Sequence, residues 1–451
     1  NVVQAYNLIL TAADGTAGDG SGNALQASYY STIGVNLASL ARSSADSTTD
    51  ADKLALFNSV VGAQNTVGVS TPERLESLAA TVSDLIRLAR ESADDPLSAQ
   101  KDSTLSLARL QTLGLGAITN EATRSAFLNA VQFKGNSVDP ATGAPRSQDN
   151  AATHDVSGVN SVEKLAAIAT SYATLLAWVN NGGTSAPTQG DYQTIGIQLP
   201  TTNPTSALLL LNSALHAQPD ASRINTIAGL NRMALVVEQL MKAGSIGPLG
   251  GAAEGSISLT VEDLQWLGVT GVSSDNLGFV LSKLQSLTDP GSVLVSLAAL
   301  QTLATAAINA REHLVKLAQD NAGALATAAE LEAIGLTLPV NGAGSNAEYL
   351  KLFNDALKSP AIDGSRANTP ALLQAIIVAA QRVVDSTLDH APAAPSRPLP
   401  ADLIALGLPP GEVASVPAAN MTLLIDAITA RSFSNLGVDH TGTALALPAK
   451  L

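Results

Sequence analysis

The chain has 451 residues, 46% of them apolar but only 3% aromatic, and it contains no cysteine. Its 24 basic and 38 acidic side chains leave a net charge of −14, and only 14% of residues are charged, against roughly 25% in an average soluble domain. Disulfides and thiolate metal centres are thereby excluded, an acidic surface argues against a nucleic-acid partner, and no apolar run reaches the ~18 residues of a membrane span.

Taken in order, the chain opens on Asn1-Val2-Val3-Gln4-Ala5-Tyr6-Asn7-Leu8-Ile9-Leu10, which reads as a helix missing its first turn. Residues 1–14 are therefore expected to be the end of a third helix that completes another repeat. Residues 15–90 form a first repeat: a short helix ending at Gly34, a second around Leu56-Phe57-Asn58, and a longer third opened by Thr71-Pro72. Leu75, Leu78, Val82, Leu85 and Ile86 recur along that third helix at the helical period. Residues 91–182 repeat the plan with Gly114, Asn129 and a stripe from Leu165 to Val179, interrupted by inserts at Asp94 to Ser103 and Gly135 to Asn160. Residues 183–243 carry Gly196, Asn212 and the helix Ile224 to Met241; residues 244–319 carry Gly268, Ser282 and Leu297 to Leu317. Residues 320–388 carry Gly335, Asn354 and a helix opened by Thr369-Pro370, and residues 389–451 carry Gly407 and Asp426 but lack most of a third helix. The fold expected is all-α, a tandem array of about six three-helix repeats in a solenoid or a string of beads, with little or no β.

The repeat is legible in its short first helix. Gly34, Gly114, Gly196, Gly268, Gly335 and Gly407 stand 67 to 82 residues apart. Four positions before each comes Tyr30, Leu110, Tyr192, Leu264, Leu331 or Leu403; one before comes Ile33, Leu113, Ile195, Leu267, Ile334 or Leu406; one after comes Val35, Leu115, Ile197, Val269, Leu336 or Leu408. This is how a helix ends: glycine adopts the left-handed conformation without a Cβ penalty, and the next residue folds back on the last turn. Helix starts are marked by Thr188 with Asp191, Thr260 with Asp263 and Thr327 with Glu330, at capping-box spacing, and by Pro400 at a first helical position. The recurrent Asn58, Asn129, Asn212 and Asn354 are read as helix-face amides facing a loop in preference to a ladder linking repeats.

Joining the two ends of the sequence aligns Pro448 with Pro72 and Pro370, Leu451 with Leu75 and Leu373, Val3 with Leu78 and Ile376, and Leu10 with Leu85 and Val383. Asn1, Val3, Tyr6, Leu10, Pro448 and Leu451 are thus the expected junction. Three readings stay open: a window of a longer polypeptide, subunits joined head to tail in a filament, or bare boundaries.

Chemistry is sparse. His154, His216, His313, His390 and His440 are scattered, with no partner at metal-ligand spacing, and no nucleophile elbow, P-loop or dinucleotide fingerprint occurs. No catalytic or cofactor-binding residue is expected, and the protein is read as no enzyme. One glycine-rich loop offers Asp14, Asp19 and Asn23 as oxygen ligands, which makes calcium a minor candidate.

The segment Leu259 to Leu277, with Thr260-Val261-Glu262-Asp263-Leu264-Gln265-Trp266-Leu267-Gly268-Val269 at its centre, resembles helical repeats of giant, adhesin-like bacterial cell-surface proteins, as does Val3 to Leu10. The resemblance implies a secreted, extracellular or cell-surface location and a structural or adhesive role, and it brings no catalytic residue. Together with the repeats and matching ends, it leads to the expectation of a non-enzymatic filament, stalk or surface-coat segment whose partner is itself. The alternative is an adhesin module that grips a host or matrix protein.

Overall fold

The computed structural model describes residues 1–16, 20–42, 47–90, 104–135, 156–179, 183–245, 258–320, 323–339, 345–359, 362, 364–365, 367–389 and 397–429. The fold is all-α: 68% of the described residues are helical, and they form 20 α-helices with no strand or sheet. In chain order these are α1 (Val2–Ala12), α2 (Ala27–Thr32), α3 (Ala51–Ala63), α4 (Pro72–Arg90), α5 (Leu107–Thr112), α6 (Glu121–Gly135) and α7 (Val162–Trp178). There follow α8 (Gln189–Ile195), α9 (Pro204–His216), α10 (Ile227–Lys242), α11 (Val261–Leu267), α12 (Leu277–Gln285), α13 (Pro290–Val293) and α14 (Leu297–Asp320). The last are α15 (Ala328–Ala333), α16 (Asn346–Leu357), α17 (Pro370–Asp389), α18 (Pro400–Ala405), α19 (Pro410–Ser415) and α20 (Ala418–Thr429). The chain divides into two compact units, Asn1–Pro200 with Leu211–Leu235 and Thr201–Leu210 with Val236–Leu451.

Two of the long helices, α4 and α17, start where threonine and proline stand together. In α4 and α17 the threonine hydroxyl before the proline accepts a backbone N–H in the first turn, Thr71 from Arg74 at 3.4 Å and Thr369 from Leu372 at 3.3 Å. Proline at the first helical position gives up an N–H that had no partner anyway. One face of α4 then buries Leu75, Leu78, Val82, Leu85 and Ile86, each leucine-sized side chain contributing about 1.5–3 kcal/mol when fully removed from water. At its other end Arg90 reaches Asp50 at 2.5 Å and Asp52 at 2.6 Å. Asp50 is itself the N-cap of α3, so one carboxylate starts one helix and fastens the last turn of another. Burial pushes the Asp50 carboxyl up, but Arg90 and the N–H groups of Lys53 and Asp52 outweigh it and hold it below the usual range.

Within the first unit α3 packs on α4, α6 on α7, α1 on α2, α4 on α5 and α7 on α8. Within the second, α12 packs on α14, α16 on α17, α14 on α15 and α17 on α18. The long helices α4, α7, α14 and α17 thus each meet a middle helix that precedes them and a short helix that follows them. The short α13 and α19 were not expected; both open on a proline at the first helical position.

The scarce aromatics are placed in the cores. Tyr30, Tyr172, Tyr192, Tyr349, Phe57, Phe127, Phe279 and Phe353 are fully buried. Each of the four tyrosines keeps its hydroxyl satisfied: Tyr30 and Tyr192 donate to asparagines, Tyr172 donates to the Ile224 carbonyl at 3.1 Å, and Tyr349 donates to Asp385 at 2.5 Å. A buried phenol needs such a partner, and burial pushes the Tyr30, Tyr172 and Tyr192 hydroxyls well above the ordinary phenol range.

Candidate functional site: recurring caps, amide clamps and an uncovered helix face

All six cap glycines have positive φ, between 80° and 112°. At five of them the N–H of the next residue bonds the carbonyl four positions before the glycine: Val35 to Tyr30, Ile197 to Tyr192, Val269 to Leu264, Leu336 to Leu331 and Leu408 to Leu403, at 2.8–3.0 Å. That is the long bond of a Schellman cap. At Gly114 the turn is closed by the glycine's own N–H on the Gln111 carbonyl, 3.0 Å. Thr188 with Asp191, Thr260 with Asp263 and Thr327 with Glu330 form reciprocal capping boxes. A fourth box, Ser345 with Glu348, starts α16.

The third residue of the short helix also ties it to the long helix before. Ser171 donates to Asp191 at 3.0 Å, His313 Nδ1 lies 2.6 Å from Glu330, and Arg382 reaches Asp402 at 3.0 Å. In α5 the polarity is reversed: Arg109 stands five residues before its glycine, as Asp402 does, and pairs with Asp84 of α4 at 2.9 Å. The position keeps its contact while its charge changes sign.

The asparagines hold the start of the short helix from the middle helix. Asn58 donates to the Leu25 carbonyl at 2.7 Å and accepts the Tyr30 hydroxyl at 2.8 Å. Asn212 donates to the Pro187 carbonyl at 2.7 Å and accepts the Tyr192 hydroxyl at 2.6 Å. Asn354 donates to the Ala326 carbonyl at 3.0 Å and accepts the Ala326 N–H at 2.7 Å. Leu25, Pro187 and Ala326 all stand nine residues before their cap glycines. These amides face a loop. Asn129 differs: its Oδ1 accepts the N–H of Ile227, the first residue of α10, at 2.8 Å. The two variant positions behave as their chemistry dictates. The Ser282 hydroxyl is buried with no hydrogen-bond partner among the described residues, whereas Asp426 pairs with Arg397. The tyrosine partners were missed in the sequence, although Tyr30 and Tyr192 stand four before the glycine in two of the sets that carry an asparagine.

Of the histidines, His216 stacks against Trp178 with centroids 4.3 Å apart and lies 2.9 Å from the Trp178 carbonyl. His154, His390 and His440 lie outside the described residues. So do Asp19, Pro448, Leu451, and most of the two inserts. Asp14 accepts the Thr16 N–H at 2.9 Å, and Asn23 lines a polar cleft of about 110 Å³ with Ser59, Ser161 and Glu163. Among the described residues no group of three or more His, Cys, Asp or Glu side chains is placed to hold a metal ion.

One titratable group is out of balance. The half-buried Asp355, near the C-terminus of α16, has a buried Oδ2 with no hydrogen-bond partner among the described residues. Burial pushes its carboxyl up to about 6, with Lys351 and Lys358 pulling the other way. The folded state therefore binds the proton more tightly than the unfolded chain, and this group's stabilisation fades as pH rises from about 4 through 6. A full shift of this size equals about 3 kcal/mol, which solvent screening at a half-exposed group cuts to about 1 kcal/mol. Asp355→Asn is expected to raise stability by about 1 kcal/mol at pH 7 and to leave it unchanged at pH 4, as measured by urea unfolding at both.

Helix α1 has one side that is exposed among the described residues. Ala5, Ile9 and Ala12 are buried, and the Tyr6 hydroxyl donates to the Ser70 carbonyl at 3.4 Å. Asn1, Val3, Gln4, Asn7, Leu8 and Thr11 line an open groove of about 350 Å³. Of the junction residues expected from sequence, Asn1 and Val3 lie on this groove, while Tyr6 bonds within its own unit. No family model matches the chain, and no curated protein or solved structure is significantly similar to it.

Proposed function

We propose that the chain is a non-enzymatic structural protein of the bacterial exterior, a segment of a filament, stalk or surface coat extended by about six three-helix repeats. The observation that carries this reading is that contacts recur at fixed offsets. The same carbonyl, nine residues before the cap glycine, is clamped by an asparagine at three places. A side chain at the fifth position of a long helix accepts the N–H two residues after the glycine at two places, Glu76 from Asn36 and Gln301 from Thr270.

Contacts from one set to the next recur as well. Ser59 of α3 accepts the first N–H of α7, and Asn129 of α6 accepts the first N–H of α10. Gly196 abuts Phe133 of α6, and Gly335 abuts Ser282 of α12. Middle helices that reach into the following set at several places support the reading of a module that extends. The acidic, cysteine-free composition and the resemblance to giant surface proteins supply the location. Negative-stain electron microscopy of the purified protein tests the proposal: rods or filaments are expected, and compact globules at high concentration would overturn it.

A further inference from the structure

We infer, independently of the repeat reading above, that the polar cleft between α3 and the start of α7 binds the hydroxylated edge of one sugar residue.

The cleft measures about 110 Å³ and is lined by Thr16, Asn23, Ser59, Ser161 and Glu163 over a floor of glycine backbone. All of it lies within the first unit. The floor forms where the 3₁₀ turn Ser21–Ala24 comes down on α3. A Cβ at Gly22 would run into the Asn58 carbonyl, and one at Gly62 would lie 3.2 Å from Ser21 Oγ. Backbone therefore meets backbone there, and the walls are left to polar side chains. Close packing between sets does not demand this glycine. Asn129 holds α10 as Ser59 holds α7, and three residues beyond Asn129 stands a buried Gln132 where Gly62 stands beyond Ser59.

The count of donors and acceptors separates three classes of ligand. Ser59 Oγ accepts the Val162 N–H at 2.9 Å, and Ser161 Oγ accepts the Lys164 N–H at 3.4 Å. A hydroxyl that has accepted a hydrogen bond still has its own O–H to donate. The side chains of Thr16, Asn23 and Glu163 have no hydrogen-bond partner among the described residues. Lys164 does not neutralise Glu163, because its ammonium is taken by the Ser157 carbonyl at 2.7 Å and Asn160 Oδ1 at 2.9 Å. An anion would meet the Glu163 carboxylate. A hard cation uses acceptors alone, but the two serine oxygens already hold N–H groups, and the positive end of α7 opposes it. A neutral hydroxyl uses both kinds of partner: it donates to Glu163 and accepts from Ser59, Ser161, Thr16 or Asn23.

Size narrows the class further. A water molecule takes up about 30 Å³ of liquid, so the cleft holds about three or four such volumes, which suits two or three adjacent hydroxyls with their carbons. It is well below the roughly 300–1,000 Å³ of a pocket that swallows a whole drug-sized ligand. One edge of a pyranose fits, with the rest of the ring outside. Among the described residues no aromatic ring lines the cleft to stack on the sugar, so binding belongs at about 1 mM or weaker.

TROSY NMR of the full chain tests this, with methyl α-glycosides of glucose, mannose and galactose titrated to about 100 mM. At least one glycoside is expected to move the Gly22, Asn23, Gly62 and Glu163 amides along a saturable curve. Asn23→Ala/Glu163→Ala changes two exposed positions; with its helix content intact by circular dichroism, it is expected to weaken that binding at least about tenfold. Shifts that never saturate, or that survive in the variant, overturn the site. So does a response at these amides to calcium chloride or sodium sulfate but to no glycoside, which would make it an ion site, and so does no response at all, which would leave the cleft to water. Beads carrying the bound sugar as a terminal residue then tell a glycan end, which retains the protein, from a free sugar, which does not; both results keep the site. Loss of the site would leave the filament reading untouched.

Discussion

An Asn212→Leu variant is expected to unfold about 2–6 kcal/mol more readily than wild type, the sum of two orphaned buried groups at about 1–3 kcal/mol each. Leucine matches asparagine closely in size, so no cavity enters the comparison. What is lost is the amide that donates to Pro187 and accepts from Tyr192 at 2.7 and 2.6 Å. Asn212 and Tyr192 are both buried, so water does not replace either bond at low cost. Trp178 reports the change directly, because its indole N–H donates to the Asn212 carbonyl at 2.8 Å. Urea unfolding followed by Trp178 fluorescence, with Trp266 replaced by phenylalanine, makes the measurement.

The companion variants decide whether the pair acts as a unit. Tyr192→Phe alone is expected to cost about 1 kcal/mol, and Asn212→Leu/Tyr192→Phe to be about 1–2 kcal/mol less destabilised than the sum of the two. Strict additivity would mean that the hydroxyl and the amide do not depend on each other. The chain already holds a partial version of this experiment: Ser282, at the corresponding place in α12, is too short to reach the loop and its hydroxyl is left without a partner among the described residues.

What was legible in the sequence was local. The cap glycines, the Thr-x-x-Asp and Thr-x-x-Glu boxes and the prolines at first helical positions act over three to five residues, so their geometry follows from spacing alone. The starts of three long helices were legible for the same reason: α14 was expected from Leu297 and starts there, and α4 and α17 start at the expected prolines, whereas α10, expected from Ile224, starts at Ile227. The asparagines show where legibility stops. Their position on the helix could be read, but Asn58 meets Leu25 across 33 residues and Asn129 meets Ile227 across 98, and no local pattern encodes such distances. The aromatics are a further case. At 3% of residues they point to cores of leucine, valine, isoleucine and alanine, yet eight of them are fully buried, because a large ring contributes more to a small core than its frequency suggests. On α1 the alignment matches Val3 with Leu78 and Leu10 with Leu85, but Val3 is exposed where Leu78 is buried, and Ala5, Ile9 and Ala12 are covered while Leu8 is left outside.

The cap glycines look equivalent in sequence, and a substitution series is expected to divide them. Gly114→Ala should cost about 1 kcal/mol, the penalty for placing a Cβ in the left-handed region. Gly114 has φ 90°, and a Cβ there would meet nothing within 4 Å. Gly335 has φ 80°, so its backbone cost is similar. A Cβ at Gly335, however, would lie 2.6 Å from the Ser282 carbonyl carbon and closer still to its oxygen. Those are backbone atoms inside α12, which cannot rotate away as a side chain would. Gly335→Ala is therefore expected to cost about 3 kcal/mol or more, in the range of overpacking plus strain, as read by thermal unfolding with Trp266 as the probe. Asparagine separates the two causes, since it tolerates the left-handed region far better than alanine does. Gly114→Asn should recover most of the loss, and Gly335→Asn should recover none, because the obstacle there is the neighbouring helix and not the torsion angle. Equal costs at the two sites would show that α12 yields, and that the cap and the helix beneath it are not in rigid contact.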